Sequence, residues 1–364
     1  MKKLVVFMVA IAMVVIALPV MAQSKVTLTG NLTYGAVFGT TVVNGFGDSK
    51  IDLAAQVDAN NSFYAELWGN GLPNSKVSVN GGTTMDNWGV GALYLKSDIG
   101  GVFGLGSMVD PVLYAGLGAA TMPGYGVTGY GFENIAGLGL GGEGAGLNAS
   151  ETTVMPYMAL NIGIASMVNL LVGVNPLSFT SGNATQAVVG AYGTVGPVQA
   201  EVGLVGNGAA GLTNGDLAAG ALFDYTVSSI ELKVTGQIVA GLASGANTTY
   251  SAGLSANFMS LATLAGSIVG ATTPTSGLTK GTIELDLTPF TFGGINAATA
   301  MNFASGAPSL FDTWDISAYV NLGKALFRVG YITGQTGAGS LGTPAWNAPA
   351  GGTNGLYLRA GLAF

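Results

Sequence analysis

The sequence contains neither cysteine nor histidine. Without cysteine there can be no disulfide, thiolate metal site, thiol nucleophile or lipid-modified N-terminal cysteine. Without histidine the commonest general base and metal ligand is gone. No Ser-His or Asp-His catalytic pair can then be assembled. Charge is scarce as well. Only 8% of residues are Asp, Glu, Lys or Arg, against roughly 25% in an average soluble domain. A soluble protein covers its outside with charge, so most of this surface is expected to face something other than water.

The little charge present leans acidic, 11 Lys and Arg against 18 Asp and Glu, a formal net of −7. With no basic patch, a nucleic-acid partner is not expected. No metal-ligand spacing stands out, and no cofactor is expected. Gly124, Gly126 and Gly129 match the dinucleotide-binding glycine spacing, but no strand–helix context surrounds them. Among 60 glycines, chance explains the match. Glu284 and Asp286 fall on one strand face, where paired acids more often solvate a wall than perform acid–base chemistry. The chain does not read as an enzyme.

Long apolar runs are also missing beyond the N-terminus. Lys2 and Lys3 precede an apolar stretch from Leu4 to Leu18, and Val20-Met21-Ala22 has the small or modest residues of a cleavage site. Residues 1–22 are expected to be a secretory signal peptide cut after Ala22, leaving 23–364 as the mature protein. Downstream, even the apolar stretch Met158 to Val174 is interrupted by Asn161, Asn169 and two glycines. Nothing there supplies about twenty continuous apolar residues for a helical span.

What the chain has in abundance is a period of two. Ile51, Leu53, Ala55 and Val57 alternate with Lys50, Asp52, Gln56 and Asp58; Ile230, Leu232 and Val234 alternate with Glu231, Lys233 and Thr235. Val198 to Leu204, Ile283 to Leu287, Trp314 to Val320 and Phe327 to Tyr331 repeat the split. In a strand the two sets lie on opposite faces, and in these segments no charge falls on the apolar one. The polar face is mostly Thr, Ser, Asn, Gln, Gly and Ala, too poorly charged for a sandwich in bulk water. A closed barrel, apolar outside and polar inside, fits better, since closure leaves no unpaired backbone in hydrocarbon.

The expectation is therefore an all-β, transmembrane, antiparallel up-and-down barrel. About eighteen strands are read, the first near 25–38, the fifth at 101–108 and the last at 355–364; sixteen is the alternative. Tight breaks at Asn60-Asn61-Ser62, Asp98 to Gly101, Val195-Gly196-Pro197, Ser228-Ser229, Thr288-Pro289 and Gly323-Lys324 alternate with longer Gly- and Asn-rich ones. An even count puts both termini on one rim, the periplasmic one. Phe63, Phe258, Phe290 and Trp314, near strand ends, are candidate interfacial aromatics.

The final residues, Gly-Leu-Tyr-Leu-Arg-Ala-Gly-Leu-Ala-Phe, place Leu358 and Leu362 two-apart in register with a terminal aromatic, Phe364. This ending resembles the C-terminal assembly signal of bacterial outer-membrane β-barrels, and with the alternating strands the chain looks like an outer-membrane porin. The resemblance implies an outer-membrane location, contact with lipid and with the barrel-assembly machinery, and passive diffusion of small hydrophilic solutes and ions. It also implies that homotrimers form and that a long loop folds inward. The candidate for that loop is 110–151, with Asp110, Glu133 and Glu143 as acids and Tyr125 and Tyr130 among its aromatics.

Porins of this kind oppose loop acids to a cluster of wall arginines. Here the inferred inner wall carries only Arg328 and Arg359, with Lys25, Lys50, Lys96 and Lys233. Its acids are Asp52, Asp58, Glu66, Glu201, Asp224, Glu231, Glu284, Asp286 and Asp315. Their excess points to a pore favouring cations and neutral solutes. Two alternatives stay open: a sugar-type channel using Tyr64, Trp68, Tyr94, Tyr319 and Tyr357, or a non-conducting structural or adhesive surface barrel.

Overall fold

The computed structural model describes residues 25–38, 42–71, 78–79, 82–83, 88–106, 108–118, 155–174, 185–208, 215–272, 277–303, 309–333 and 355–364. Eighteen antiparallel strands form one closed sheet. In chain order they are β1 (Val26–Phe38), β2 (Val42–Gln56), β3 (Asn61–Gly71), β4 (Trp88–Asp98), β5 (Val109–Gly118) and β6 (Met155–Ile164). Next come β7 (Val168–Val174), β8 (Thr185–Val195), β9 (Val198–Gly208), β10 (Asp216–Val227), β11 (Ile230–Gly241) and β12 (Thr248–Phe258). The last six are β13 (Ala262–Ala271), β14 (Gly277–Phe290), β15 (Gly293–Asn302), β16 (Ser309–Leu322), β17 (Ala325–Thr333) and β18 (Gly355–Ala363). Each pairs with its neighbours in sequence, and β18 pairs with β1 from Asn31↔Ala363 to Phe38↔Leu356. Past that ladder the closure continues, because Phe364 and Gly30 exchange both backbone hydrogen bonds, at 3.0 and 3.2 Å. A closed sheet has no free edge, so each strand's backbone finds partners on both sides.

Seventeen strands overlap the segments that the alternation picks out, although β2 begins at Val42, within the break expected from Thr40 to Asp48. The fifth does not overlap its segment. Residues 99–103 form a short helix, α1 (Ile99–Phe103), capped at its N-terminus by the Asp98 carboxylate, which accepts from the Gly101 N–H at 2.6 Å. Gly104 ends it in the left-handed region (φ 65°), a conformation that costs a residue with Cβ about 1–2 kcal/mol. The fifth strand is instead β5, so the expected loop loses its first residues, and Asp110 stands in a strand. The alternation of β5 was obscured by Pro111, which ordinarily argues against a strand. Here Pro111 sits one residue beyond the ladder with β4, which begins at Asp98↔Val112. Likewise the turn expected at Thr288-Pro289 lies at Thr291-Phe292, because the β14–β15 register shifts between Leu287 and Phe290. A bulge is one of the few places a sheet tolerates proline.

The two faces of the sheet differ sharply. One carries Leu28, Val172, Val202, Val234, Leu254, Ile283, Ile316, Val329 and Leu358, all exposed. Cross-strand register keeps this set on one side: Val202↔Ala219, Val234↔Leu254, Ile316↔Tyr331 and Val329↔Leu358. Phe258, Phe290, Phe327 and Tyr331 are exposed on it as well, and the register adds Phe63 and Trp314. Trp314 packs against Tyr331 (5.6 Å), Phe223 against Tyr225 and Phe290 against Phe292 (5.8 and 5.4 Å). On β12 the set runs from Tyr250 through Leu254 to Phe258, spanning about 20 Å at ~3.4 Å per residue and a ~40° tilt. That matches the apolar band of an outer-membrane barrel, about 25 Å tall with aromatics at both rims.

The other face is crowded and carries the polar and charged side chains among a minority of buried apolar ones such as Leu171, Leu222 and Val239, and the concave side of a closed cylinder is where crowding belongs. Glycine matters here where a tyrosine must lie flat across its neighbour. Gly330 faces Tyr357; a Cβ on Gly330 would come within 2.6 Å of the Tyr357 ring and 2.7 Å of Ser317 Cβ. Aromatic cover of a cross-strand glycine is a recognised device for fixing register.

Connections at one rim are short: residues 57–60, 99–108, 165–167, 196–197, 228–229, 259–261, 291–292 and 323–324. The described N-terminal end and Phe364 share that rim. Several of these turns hold non-glycine residues at positive φ, namely Ala165, Ser166, Ser228, Met259 and Ser260. Tight hairpin turns demand this conformation because its twist matches that of the flanking strands.

Candidate functional site

The inner face falls into two sectors. From β5 to β8 the described inner side chains carry no charge beyond Asp110. Val112, Tyr114, Ala159 and Leu171 form a buried cluster, with Tyr94 and Tyr192 packed against it. Tyr64, Tyr94 and Tyr114 make a row across β3, β4 and β5, with centroids 5.0 and 5.8 Å apart. Tyr64 also donates to Asp52 Oδ1 at 2.6 Å. Tyr114 and Tyr192 carry no distinguishing signal in the sequence, the first because Pro111 hides the alternation of β5, the second because it stands alone among glycines and alanines.

From β9 to β18 the inner face is charged. Glu201 is buried at 4% exposure. On β10 and β11, Asp224 faces Lys233 across the ladder. The Lys233 ammonium lies 2.9 Å from Glu231 Oε1 and 3.6 Å from Asp224 Oδ2, so this base is committed within the wall. Glu231, Lys233, Glu284 and Asp286 also line a cavity of about 210 Å³, together with Ser255, Asn257, Thr263 and Ala265. At ~30 Å³ per molecule, that is room for about seven waters.

A second cluster spans β14 to β18. Its three carboxylates all take their hydrogen bonds from neutral donors. Asn296 Nδ2 donates to Glu284 Oε1 at 2.5 Å, and the Tyr319 hydroxyl to Asp286 at 3.1 and 3.2 Å. The Tyr357 hydroxyl donates to Asp315 at 2.9 and 3.0 Å, reaching across the whole of β17. Arg328 lies within electrostatic reach of all three acids. Its guanidinium stands 5.1 Å from the Tyr319 ring centroid, and on the next strand it faces Arg359, which is buried.

The sequence-selected residues Asp52, Lys96, Glu201, Asp224, Glu231, Lys233, Glu284, Asp286, Asp315, Arg328 and Arg359 therefore share the face opposite the exposed apolar set. So do Tyr64, Tyr94, Tyr319 and Tyr357. Asp58 does not belong with them. It sits in the 57–60 turn, where its carboxylate accepts from the Asn60 and Asn61 backbone N–H (both 2.8 Å) and from Asn61 Nδ2. The Asn61 side chain first, then the Asn60 amide, hold its pKa below the usual carboxylate value. The Glu66, Lys50 and Trp68 side chains lie outside the described residues, as do residues 1–24 and the loop candidates Tyr125, Tyr130, Glu133 and Glu143. The described residues include no group of three or more Asp and Glu placed to hold a metal ion.

A closed cylinder of eighteen antiparallel strands, apolar outside and charged within, has the fold of the bacterial outer-membrane porins. Among solved structures it is similar to two engineered variants of Rhodopseudomonas blastica porin, each with a TM-score of 0.51. They share 10% and 11% identity with it, over 93% of this chain and 100% of theirs. OccK2 of Pseudomonas aeruginosa, solved in complex with glucuronate, is similar at a TM-score of 0.50 and 10% identity, over 94% of this chain and 97% of that one. No protein-family model matches the chain, and no curated protein matches it in sequence.

Proposed function

We propose that this protein is an outer-membrane porin, a passive diffusion channel for small hydrophilic solutes and ions that favours cations and neutral solutes. The observation that carries the reading is the segregation of charge. The exposed outer face is apolar at mid-height, as hydrocarbon demands, and the ionised groups of the described strands gather on the inner one. Among described inner side chains the acids Asp52, Asp110, Glu201, Asp224, Glu231, Glu284, Asp286 and Asp315 outnumber the bases Lys96, Lys233, Arg328 and Arg359. A net negative wall in a narrow channel concentrates cations. In this orientation the short-turn rim, which carries Lys25 and Phe364, faces the periplasm. The terminal strand, with Leu358 and Leu362 outward and Phe364 sealing against Gly30, is the strand recognised at assembly.

The inward loop is also part of the proposal. Residues 119–154, between β5 and β6, are long enough to narrow the pore. Their flanking strands contribute Val112, Tyr114 and Ala159 to the buried apolar cluster of the inner wall. Deleting residues 125–148 is then expected to raise single-channel conductance.

Recording in planar bilayers tests the main reading. Stepwise conductance is expected, with a reversal potential of cation-selective sign in a salt gradient. An anion-selective sign would overturn the charge argument, and absence of conductance would leave a structural or adhesive barrel. One observation favours a sugar-selective channel, the Tyr64–Tyr94–Tyr114 row. Tyr114 is only 2% exposed, however, so the row offers a solute two rings rather than a continuous track. Saturable current block by sugars would reverse that preference.

A further inference from the structure

The most unusual group on the inner wall is the Arg328 guanidinium. Its Nε and Nη1 are buried and have no hydrogen-bond partner among the described residues. Buried donors are normally satisfied, and an arginine among carboxylates normally forms a bidentate pair. Here Glu284, Asp286 and Asp315 lie within electrostatic reach but take their hydrogen bonds from Asn296, Tyr319 and Tyr357. On the acid side the same is true in mirror image: Glu284 Oε2 is buried and unpartnered among the described residues. An unused cation and an unused carboxylate oxygen therefore belong to one cluster. Glu284 and Asp286, moreover, border the 210 Å³ cavity, where Lys233, the one base among the described lining residues, is already taken by Glu231 and Asp224.

We propose that this part of the wall is a station for small zwitterions: Arg328 takes the solute's carboxylate, and Glu284 with Asp286 takes its ammonium from the cavity side. The inference rests on the channel reading and narrows "neutral solutes" to those neutral by charge balance. The planar guanidinium suits a carboxylate, which it can hold through two parallel hydrogen bonds. A simple cation gains from the acids but is repelled by Arg328 and Arg359. A simple anion meets the opposite problem, and an uncharged solute gains from neither. Only a molecule carrying both charges a few ångströms apart satisfies both unused groups together. The Tyr319 ring and hydroxyl fix the geometry, one face toward the guanidinium and the hydroxyl on Asp286.

Glycine and glycolamide are isomers of equal size, the first zwitterionic and the second uncharged at neutral pH. Their entry into proteoliposomes, followed by osmotic swelling, is the test. Glycine is expected to enter faster by about threefold or more, a modest charge-assisted preference. Arg328→Gln and Glu284→Gln should each bring the ratio close to one, with glycolamide entry, which draws on neither charge, showing that the variant has inserted. Equal entry of the two isomers into wild-type vesicles would overturn the inference, as would an undiminished ratio in both variants. The wild-type comparison stands even if a variant fails to insert. A wild-type protein that neither conducts nor swells vesicles would overturn the channel reading itself, whereas conductance without isomer preference overturns this inference alone.

Discussion

Tyr357→Phe removes one hydroxyl from the inner wall and nothing else. The hydroxyl donates to both oxygens of Asp315, at 2.9 and 3.0 Å, and the two residues are 2% and 5% exposed. The phenyl ring still covers Gly330, so no cavity opens and the register is kept. The loss is then the hydrogen bond to a buried carboxylate together with that carboxylate's desolvation, for which about 1.5–3 kcal/mol is expected. Reversible urea unfolding of the vesicle-inserted barrel, followed by tryptophan fluorescence, measures the change. Adding Asp315→Asn closes a double-mutant cycle. The Phe substitution should cost much less when Asp315 is already neutral. A loss below about 0.5 kcal/mol, or equal losses in both backgrounds, would show that the Tyr357–Asp315 contact does not hold β18 to β16 across β17.

Gly330→Ala puts a methyl within 2.6 Å of the Tyr357 ring, and such overpacking should cost about 1–3 kcal/mol in the same unfolding assay. Met259→Gly relieves a side chain held at φ 54° in an exposed turn; the midpoint should rise by the equivalent of about 0.5–1 kcal/mol after the larger chain entropy of glycine is counted. Val234→Arg places a charge on the exposed face at mid-strand and should cost about 2–4 kcal/mol in bilayers; a negligible effect would deny that this face meets hydrocarbon. The Asp58 carboxyl, held below its usual pKa by Asn61 and Asn60, favours the folded state once ionised. Its contribution is therefore present above the unfolded value of about 3.9 and is lost as pH falls through the lower folded value. Asp58→Asn should remove that acid-side step from the stability–pH profile, and a profile unchanged by the substitution would refute it.

The fold was legible because a membrane barrel writes one rule along its whole length. Hydrocarbon forbids charge on one face, water requires polarity on the other, and the pleat assigns alternate residues to each. Ile230 to Thr235 shows the rule without exception, whereas Val239, further along the same strand, is an apolar side chain buried on the inner face. The rule failed where another local preference overrode it. From Gly101 to Met108 the spacing mimics a strand, but Asp98 caps a helical turn there and Gly104 is left-handed. The rule also failed at both prolines, Pro111 and Pro289, where residue type argued against the strands that contain them. It misplaced Asp58 by running the alternation of β2 two residues past Gln56, into a turn whose amides the carboxylate caps.

The candidate site was legible only by face. A period of two says that Glu284, Asp286, Asp315 and Arg328 project to the same side, but it says nothing about who meets whom. That depends on the stagger of neighbouring strands, which accumulates residue by residue around the cylinder. Tyr357 and Asp315 are 42 positions apart and meet because two successive hairpin registers, Ser317↔Gly330 and Gly330↔Tyr357, bring them diagonally together over a glycine. No spacing in the sequence encodes that diagonal. The consequence is functional as well as structural. Read as a sum of charges, the inner wall attracts cations and no more. Once tyrosine and asparagine are seen to hold the acids, Arg328 is left with donors unused among the described residues, and that is the ground for the proposed capture of a dipolar solute.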